Sequence, residues 1–199
     1  MTTFLQPQNL LTMKTFSIII AICMLALSAP AQEPEFSPRE MRKLEKQLKR
    51  EQQEKEAEAK MEIVSMMVER AFFVLEADRL RDKYGNTVIV TPTLNFVAAD
   101  SLSGVIQIGN NYYVGQNGVG GITVEGSIAN YEFSRNKRND TYYVSYTLRT
   151  PTGTYDVRMN VFAEGRADAT VSSSWPGQLN YSGDLVPPPL SRVYKGMSY

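Results

Sequence analysis

The stretch Thr141-Tyr142-Tyr143-Val144-Ser145-Tyr146-Thr147-Leu148-Arg149 decides how this chain is read. Tyr142, Val144, Tyr146 and Leu148 fall on one face, and Thr141, Tyr143, Ser145, Thr147 and Arg149 on the other. A period of two is that of a strand with one side on a core and one side in water. Similar runs flank it, so that Ile122–Asp184 reads as a β-meander joined by short turns.

Facing side chains on neighbouring strands must match, and this sets the expected register. Leu148 opposite Tyr155 puts Tyr146 on Val157, Val144 on Met159 and Tyr142 on Val161. A loop at Glu164-Gly165-Arg166 puts Val161 on Ala169 and Met159 on Val171. Val171 on Leu179 and Ala169 on Tyr181 follow. A turn at Asn136–Asn139 puts Phe133 on Tyr142 and Tyr131 on Val144. The apolar positions Ile122, Val124 and Ile128 are even and Tyr131 and Phe133 odd, which predicts a bulge near Ala129-Asn130.

Upstream, Thr87–Thr91, Asn95–Ala99 and Val105–Ile108 are short strand candidates, and a further strand begins near Phe72. Gly115–Gly121 is a turn-rich run, not a phosphate cradle, because a strand follows it rather than a helix. Pro187-Pro188-Pro189 stops the sheet, and residues 188–199 form an extended tail.

Ser37-Pro38-Arg39-Glu40 is a helix start, with Ser37 and Glu40 forming a capping box. Neither proline nor glycine follows Pro38 until Gly85. A helix from Pro38 to about Arg70 would be ~50 Å long at 1.5 Å per residue. Glu45–Lys49, Glu51–Lys55 and Glu56–Lys60 are i,i+4 pairs that support it. Its apolar stripe is thin: Met41, Leu44 and Leu48 share a face, but Gln52 and Lys55 interrupt the heptads that a coiled coil needs. Residues 32–60 therefore read as a charged helical spacer, with self-association through Met41, Leu44 and Leu48 as the alternative. Residues 61–187 read as a β-rich domain with a leading helix.

Lys14, the apolar run Phe16–Leu27 and the exit Ser28-Ala29-Pro30-Ala31 have the three parts of a secretory signal. Cleavage is expected after Ala31, with residues 1–12 an upstream extension before Met13-Lys14. The apolar run is about 12 residues, shorter than the ~20 of a spanning helix, so no transmembrane segment is expected in the mature chain. Its expected location is the periplasm or cell envelope.

The composition narrows the chemistry. Net charge is zero, with 21 basic and 21 acidic side chains in 199 residues, so nothing points to nucleic acid. There is no histidine, and the sole cysteine, Cys23, lies in the signal. That removes Ser–His–Asp and Cys–His catalysis and thiolate or imidazole metal sites. Carboxylates remain, at Glu125, Glu132, Asp156, Asp168 and Asp184, but their spacing does not form an acid–base pair. No catalytic residue, metal or cofactor is expected. Tyr143, Phe162 and Trp175 are candidates for an aromatic surface that meets a glycan or an envelope protein.

Phe73-Val74-Leu75-Glu76-Ala77-Asp78, Asn95-Phe96-Val97, Gly118–Gly126, Tyr155-Asp156-Val157 and Tyr181-Ser182-Gly183 occur in an order that resembles a family of exported proteins of Gram-negative anaerobes, domain of unknown function 4251. The resemblance runs from about Phe73 to Pro187, leaves the charged helix outside, and implies an exported β-rich domain with no assigned activity.

The expected fold is α+β, a long charged N-terminal helix followed by a mostly antiparallel, strongly bent sheet or partly closed β-barrel. The expected function is a non-enzymatic binding or interaction module. The alternative is a carrier with an apolar cavity lined by Tyr142, Val144, Tyr146 and Met159, and a carboxylate-dependent hydrolase ranks third.

Overall fold

The structure, a computed structural model, describes residues 37–110, 117–173 and 177–198. The signal and its cleavage site at Ala31 lie outside these residues. Helix α1 spans Pro38–Glu69. Its start is the expected capping box: the Glu40 N–H donates to Ser37 Oγ at 3.3 Å, and the Ser37 N–H donates to Glu40 Oε2 at 2.9 Å. Hydrogen bonding from the Ser37 side chain, and then from its backbone N–H, holds the Glu40 carboxyl below its ordinary pKa. The chain divides into two units between Lys49 and Arg50.

In the second unit, α1 ends at Glu69 and the chain enters β1 (Phe72–Asp82) almost at once. The other strands are β2 (Thr87–Ile89), β3 (Phe96–Asp100), β4 (Ser103–Ile108), β5 (Ile122–Asn136), β6 (Thr141–Thr150), β7 (Gly153–Val161), β8 (Arg166–Ser173) and β9 (Gln178–Val186). Among the described residues the sheet has nine strands in the order β2-β1-β3-β4-β5-β6-β7-β8-β9, and β1 also pairs with β9. Every pairing is antiparallel. With β2 set aside as an extra strand on the far half of β1, the remaining eight close into a barrel. Closure leaves these strands no free edge. The bent sheet expected from the sequence is thus a complete barrel preceded by a helix.

The central register is as expected: Tyr142, Val144, Tyr146 and Leu148 face Val161, Met159, Val157 and Tyr155. Val171 faces Leu179, and Ala169 faces Tyr181. Two pairings differ from expectation by two residues. Val161 pairs with Ala167, not Ala169, and Met159 with Ala169, not Val171. Phe133 pairs with Val144, not Tyr142, and Tyr142 faces Arg135. A slip of two keeps every side chain on its own face, so matching apolar faces could not reveal it. The turns decide instead. The β7–β8 turn closes between Phe162 and Arg166, with Gly165 at φ 90°. The β5–β6 turn closes at Asn136↔Thr141, with Asp140 at φ 50° and bound to Arg135 at 2.8 Å. The bulge falls between Ala129 and Glu132, with Asn130 at φ 53°.

The inward row is the core. Phe73, Leu75, Val97, Leu148, Val157 and Val161 are almost completely buried, and Val64, Met67 and Val68 of α1 join the same cluster. The Tyr131 hydroxyl donates to the Val68 carbonyl at 2.6 Å, and Arg135 reaches Met61 Sδ. The last turns of α1 therefore pack on the barrel end where β1 begins and β5 ends. Glycine permits the closest strand approach: a β-carbon at Gly183 would overlap the Glu76 carbonyl oxygen of β1.

On the outer face, the row Glu76–Phe96–Gln107–Thr123 is covered by the tail that follows a short 3₁₀ turn, Pro188–Leu190. Ser191 Oγ and the Arg192 N–H donate to Glu76 Oε1 at 2.7 and 2.9 Å. The fully buried Gln107 amide donates to the Tyr194 and Leu94 carbonyls and accepts from the Gly196 N–H and Thr123 Oγ1. The tail expected as a mere extension is a strap bonded to the barrel wall.

Candidate ligand-binding surfaces

Inside the barrel, Tyr142, Val144, Tyr146 and Met159 are 2–3% exposed and fill the core. They do not line the apolar cavity expected of them. On the neighbouring strand β8 the small Ala167 and Ala169 sit beside the larger Val161 and Met159. The hydroxyls of Tyr142, Tyr146 and Tyr181 are buried without hydrogen-bond partners among the described residues. Burial pushes the phenols of Tyr131, Tyr146 and Tyr181 up, so they stay protonated.

A chamber does exist at the opposite mouth, away from α1. Its volume is about 390 Å³. One bank is Ile106, Ile108, Ile122 and Val124, paired as Ile106↔Val124 and Ile108↔Ile122 across β4 and β5. The other bank is Tyr155, Val171, Leu179 and Tyr181 from β7, β8 and β9. In the ring of eight, β4 stands opposite β8 and β5 opposite β9, so these banks face each other across the interior. Ser173, Gly177 and Gln178 complete the lining, and among the described residues no charged side chain takes part. Such a wall solvates an apolar body and penalises a charged group, which would lose water and gain no counter-ion.

The expected aromatic surface is only partly assembled. Tyr143 is 45% exposed on β6 and lines an outer groove of about 380 Å³ together with Phe133, Arg158 and Asn160. Phe162 is half-buried in the β7–β8 turn and lines none of the described grooves next to Tyr143. Trp175 lies outside the described residues. Of the carboxylates considered for catalysis, Glu132 and Asp156 line one outer groove of about 260 Å³ with Arg158, and Glu125, Asp168 and Asp184 lie apart from it. Glu125 binds Lys195 at 2.6 Å, Asp184 binds Arg166 at 3.3 Å, and Asp156 accepts from Thr147 at 2.9 Å. Tyr155, Val171, Leu179 and Tyr181 stand in the expected meander register but read there as packed core, and their role in a chamber depends on the β4 and β5 residues across the closed barrel. Ile106/Ile108 with Ile122/Val124 was the available signal: two apolar pairs at equal spacing on either side of a glycine-rich loop.

Among the described residues no helix is long and apolar enough to cross a membrane. No curated protein matches the chain. Among solved structures it is similar to a DUF4251 family protein from Bacteroides eggerthii, with 26% identity and a TM-score of 0.58 over 71% of this chain and 96% of that one. The family model described as Domain of unknown function (DUF4251) matches residues 52–185. That match reaches back beyond Phe73 and takes in α1 from Gln52 onward, whereas the sequence resemblance left the whole helix outside. The chain belongs to the DUF4251 family.

Proposed function

We propose that the protein is a non-enzymatic binding module of the cell envelope, and that it holds a small uncharged apolar ligand in the open mouth of its barrel. One observation carries this reading: the chamber of about 390 Å³ whose lining, among the described residues, is free of charge. Eight-stranded barrels have an interior about large enough for packed side chains or one small ligand. Here the two options share one barrel, with side chains filling the α1 end and the chamber at the other. The envelope location is supported by the signal-like segment ending at Ala31.

The test is a fluorescence titration with N-phenyl-1-naphthylamine, an uncharged apolar probe. The protein should bind it in a one-to-one ratio. Val171→Trp, which puts an indole into the chamber, should abolish the signal while the far-ultraviolet circular dichroism stays that of the parent. Equal binding by the parent and a folded Val171→Trp variant would overturn the proposal.

A further inference from the structure

A second surface lies outside the barrel. On β1 the inward positions are Phe73, Leu75 and Ala77, and then Leu80. The change of parity comes from a bulge between Ala77 and Arg79, where Ala77 faces Gly183 and Arg79 faces Ser182. The skipped residue, Asp78, is held by Arg166 at 2.7 Å. Without that bulge Arg79 and Arg81 would point into the core; with it both stand outside. Two outer rows follow from the pairings. One runs Arg81–Asn180–Thr170–Arg158, and the other Arg79–Ser182–Asp168–Asn160–Tyr143.

These rows floor a polar groove of about 730 Å³ over β1, β9, β8 and β7. Arg81 and Arg158 are three strand spacings apart, ~14 Å at about 4.8 Å each. Among the described residues, none of Arg79, Arg81 and Arg158 has an ion-pair partner. The molecule is neutral overall, so this local excess of cations comes from placement, not composition. Between the arginine banks lie amides and hydroxyls that both donate and accept, already ordered by the Thr170 Oγ1 to Asn180 Oδ1 bond of 2.7 Å. Arg158 and Asn160 also line the groove of Tyr143, so the trough continues to an exposed aromatic ring, and the row of Arg158 ends through Ser145 at one acid, Glu132, in that groove.

We propose that this trough binds an acidic oligosaccharide, with Arg79, Arg81 and Arg158 on its carboxylates. Arginine matches a carboxylate in a two-pronged hydrogen bond. The Asn160, Thr170, Asn180 and Ser182 ladder matches sugar hydroxyls, and Tyr143 offers a face to the apolar side of a ring. Asp168 in the floor accepts hydroxyl protons and weakens the groove for a dense polyanion. An acidic peptide would satisfy the arginines but would leave this ladder largely unused.

The experiment is calorimetric titration of the purified protein with trigalacturonic acid, maltotriose and triglutamate at low salt. Trigalacturonic acid should bind measurably and lose affinity with added salt, and maltotriose should bind at least tenfold more weakly. Arg158→Gln and the double variant Arg79→Gln/Arg81→Gln should each weaken the acid by about tenfold or more, with Arg158→Lys in between. These positions are exposed, so the variants should fold, and N-phenyl-1-naphthylamine binding should be unchanged. No binding of trigalacturonic acid, unchanged affinity in the arginine variants, or tighter binding of triglutamate would overturn the proposal.

Discussion

Single atoms decide where this barrel can close. At Gly183 an added methyl would gain up to about 1 kcal/mol by restricting the unfolded chain. It would also collide with the Glu76 carbonyl of the strand that completes the ring. Overpacking of this kind costs about 1–3 kcal/mol or more, so the collision wins. Gly183→Ala should lower the unfolding free energy measured in urea by about 1–3 kcal/mol, seen as a lower midpoint at unchanged slope. The tyrosine hydroxyls argue the other way. Tyr146 carries a fully buried hydroxyl without a partner among the described residues. Tyr146→Phe removes a polar group that gains nothing from burial, and its stability in the same urea experiment should be equal to the parent's or up to about 1 kcal/mol higher. A clear loss would mean that the hydroxyl is bonded. Arg79 and Arg81 are outward only because one residue, Asp78, is skipped.

Among the elements, the C-terminal strap is the clearest case of structure that alternation does not encode. Its side-chain partners are Glu76, Gln107 and Glu125, polar residues on an outer face where a strand in water would also place them. The meander was legible because its faces differ in polarity at every step. The strap was not, since a buried glutamine and an exposed one read alike until something covers them. The two turns that shifted register by two residues escaped for a related reason: face matching repeats every two residues. The strap gives a pH-dependent prediction. Lys195, followed by Ser198, holds the Glu125 carboxyl below its ordinary value of 4.5. A lowered pKa in the folded state makes the bond fully effective above the unfolded value, and the contribution is lost as pH falls through the lowered value. The amide resonances of Lys195–Ser198 should therefore move toward unstructured positions on acidification through that range, and Glu125→Gln should remove the transition. Helix α1 divides similarly. Val64, Met67 and Val68 are buried, while Met41, Leu44 and Leu48 are exposed. Met67→Ala should cost about 2–5 kcal/mol. If the exposed trio drives self-association, deleting residues 33–60 should lower the molar mass measured by light scattering; an unchanged mass would assign that half a spacer's role.

For the whole molecule, the chain spends its apolar side chains unevenly. Bulky residues from β6 and β7, with the last turns of α1, seal one end of the barrel, and aliphatic strand ends leave a chamber at the other. The barrel class was readable from the sequence, but its closure was not. Closure depends on β1 pairing with β9, about a hundred residues apart, and no local pattern announces it. The expected cavity went to the wrong end because the strongest alternation marks the best-packed region. An empty volume belongs where the alternation fades. The signal-like N-terminus, the chamber and the arginine trough support the reading of an exported binding module.

The most direct test is methyl NMR of the isoleucine, leucine and valine groups during titration with N-phenyl-1-naphthylamine. Binding in the chamber should shift Ile106, Ile108, Ile122, Val124, Val171 and Leu179 and leave Val64, Val68 and Val144 unmoved. Shifts confined to the α1 end or to exposed methyls, or none at all, would contradict it.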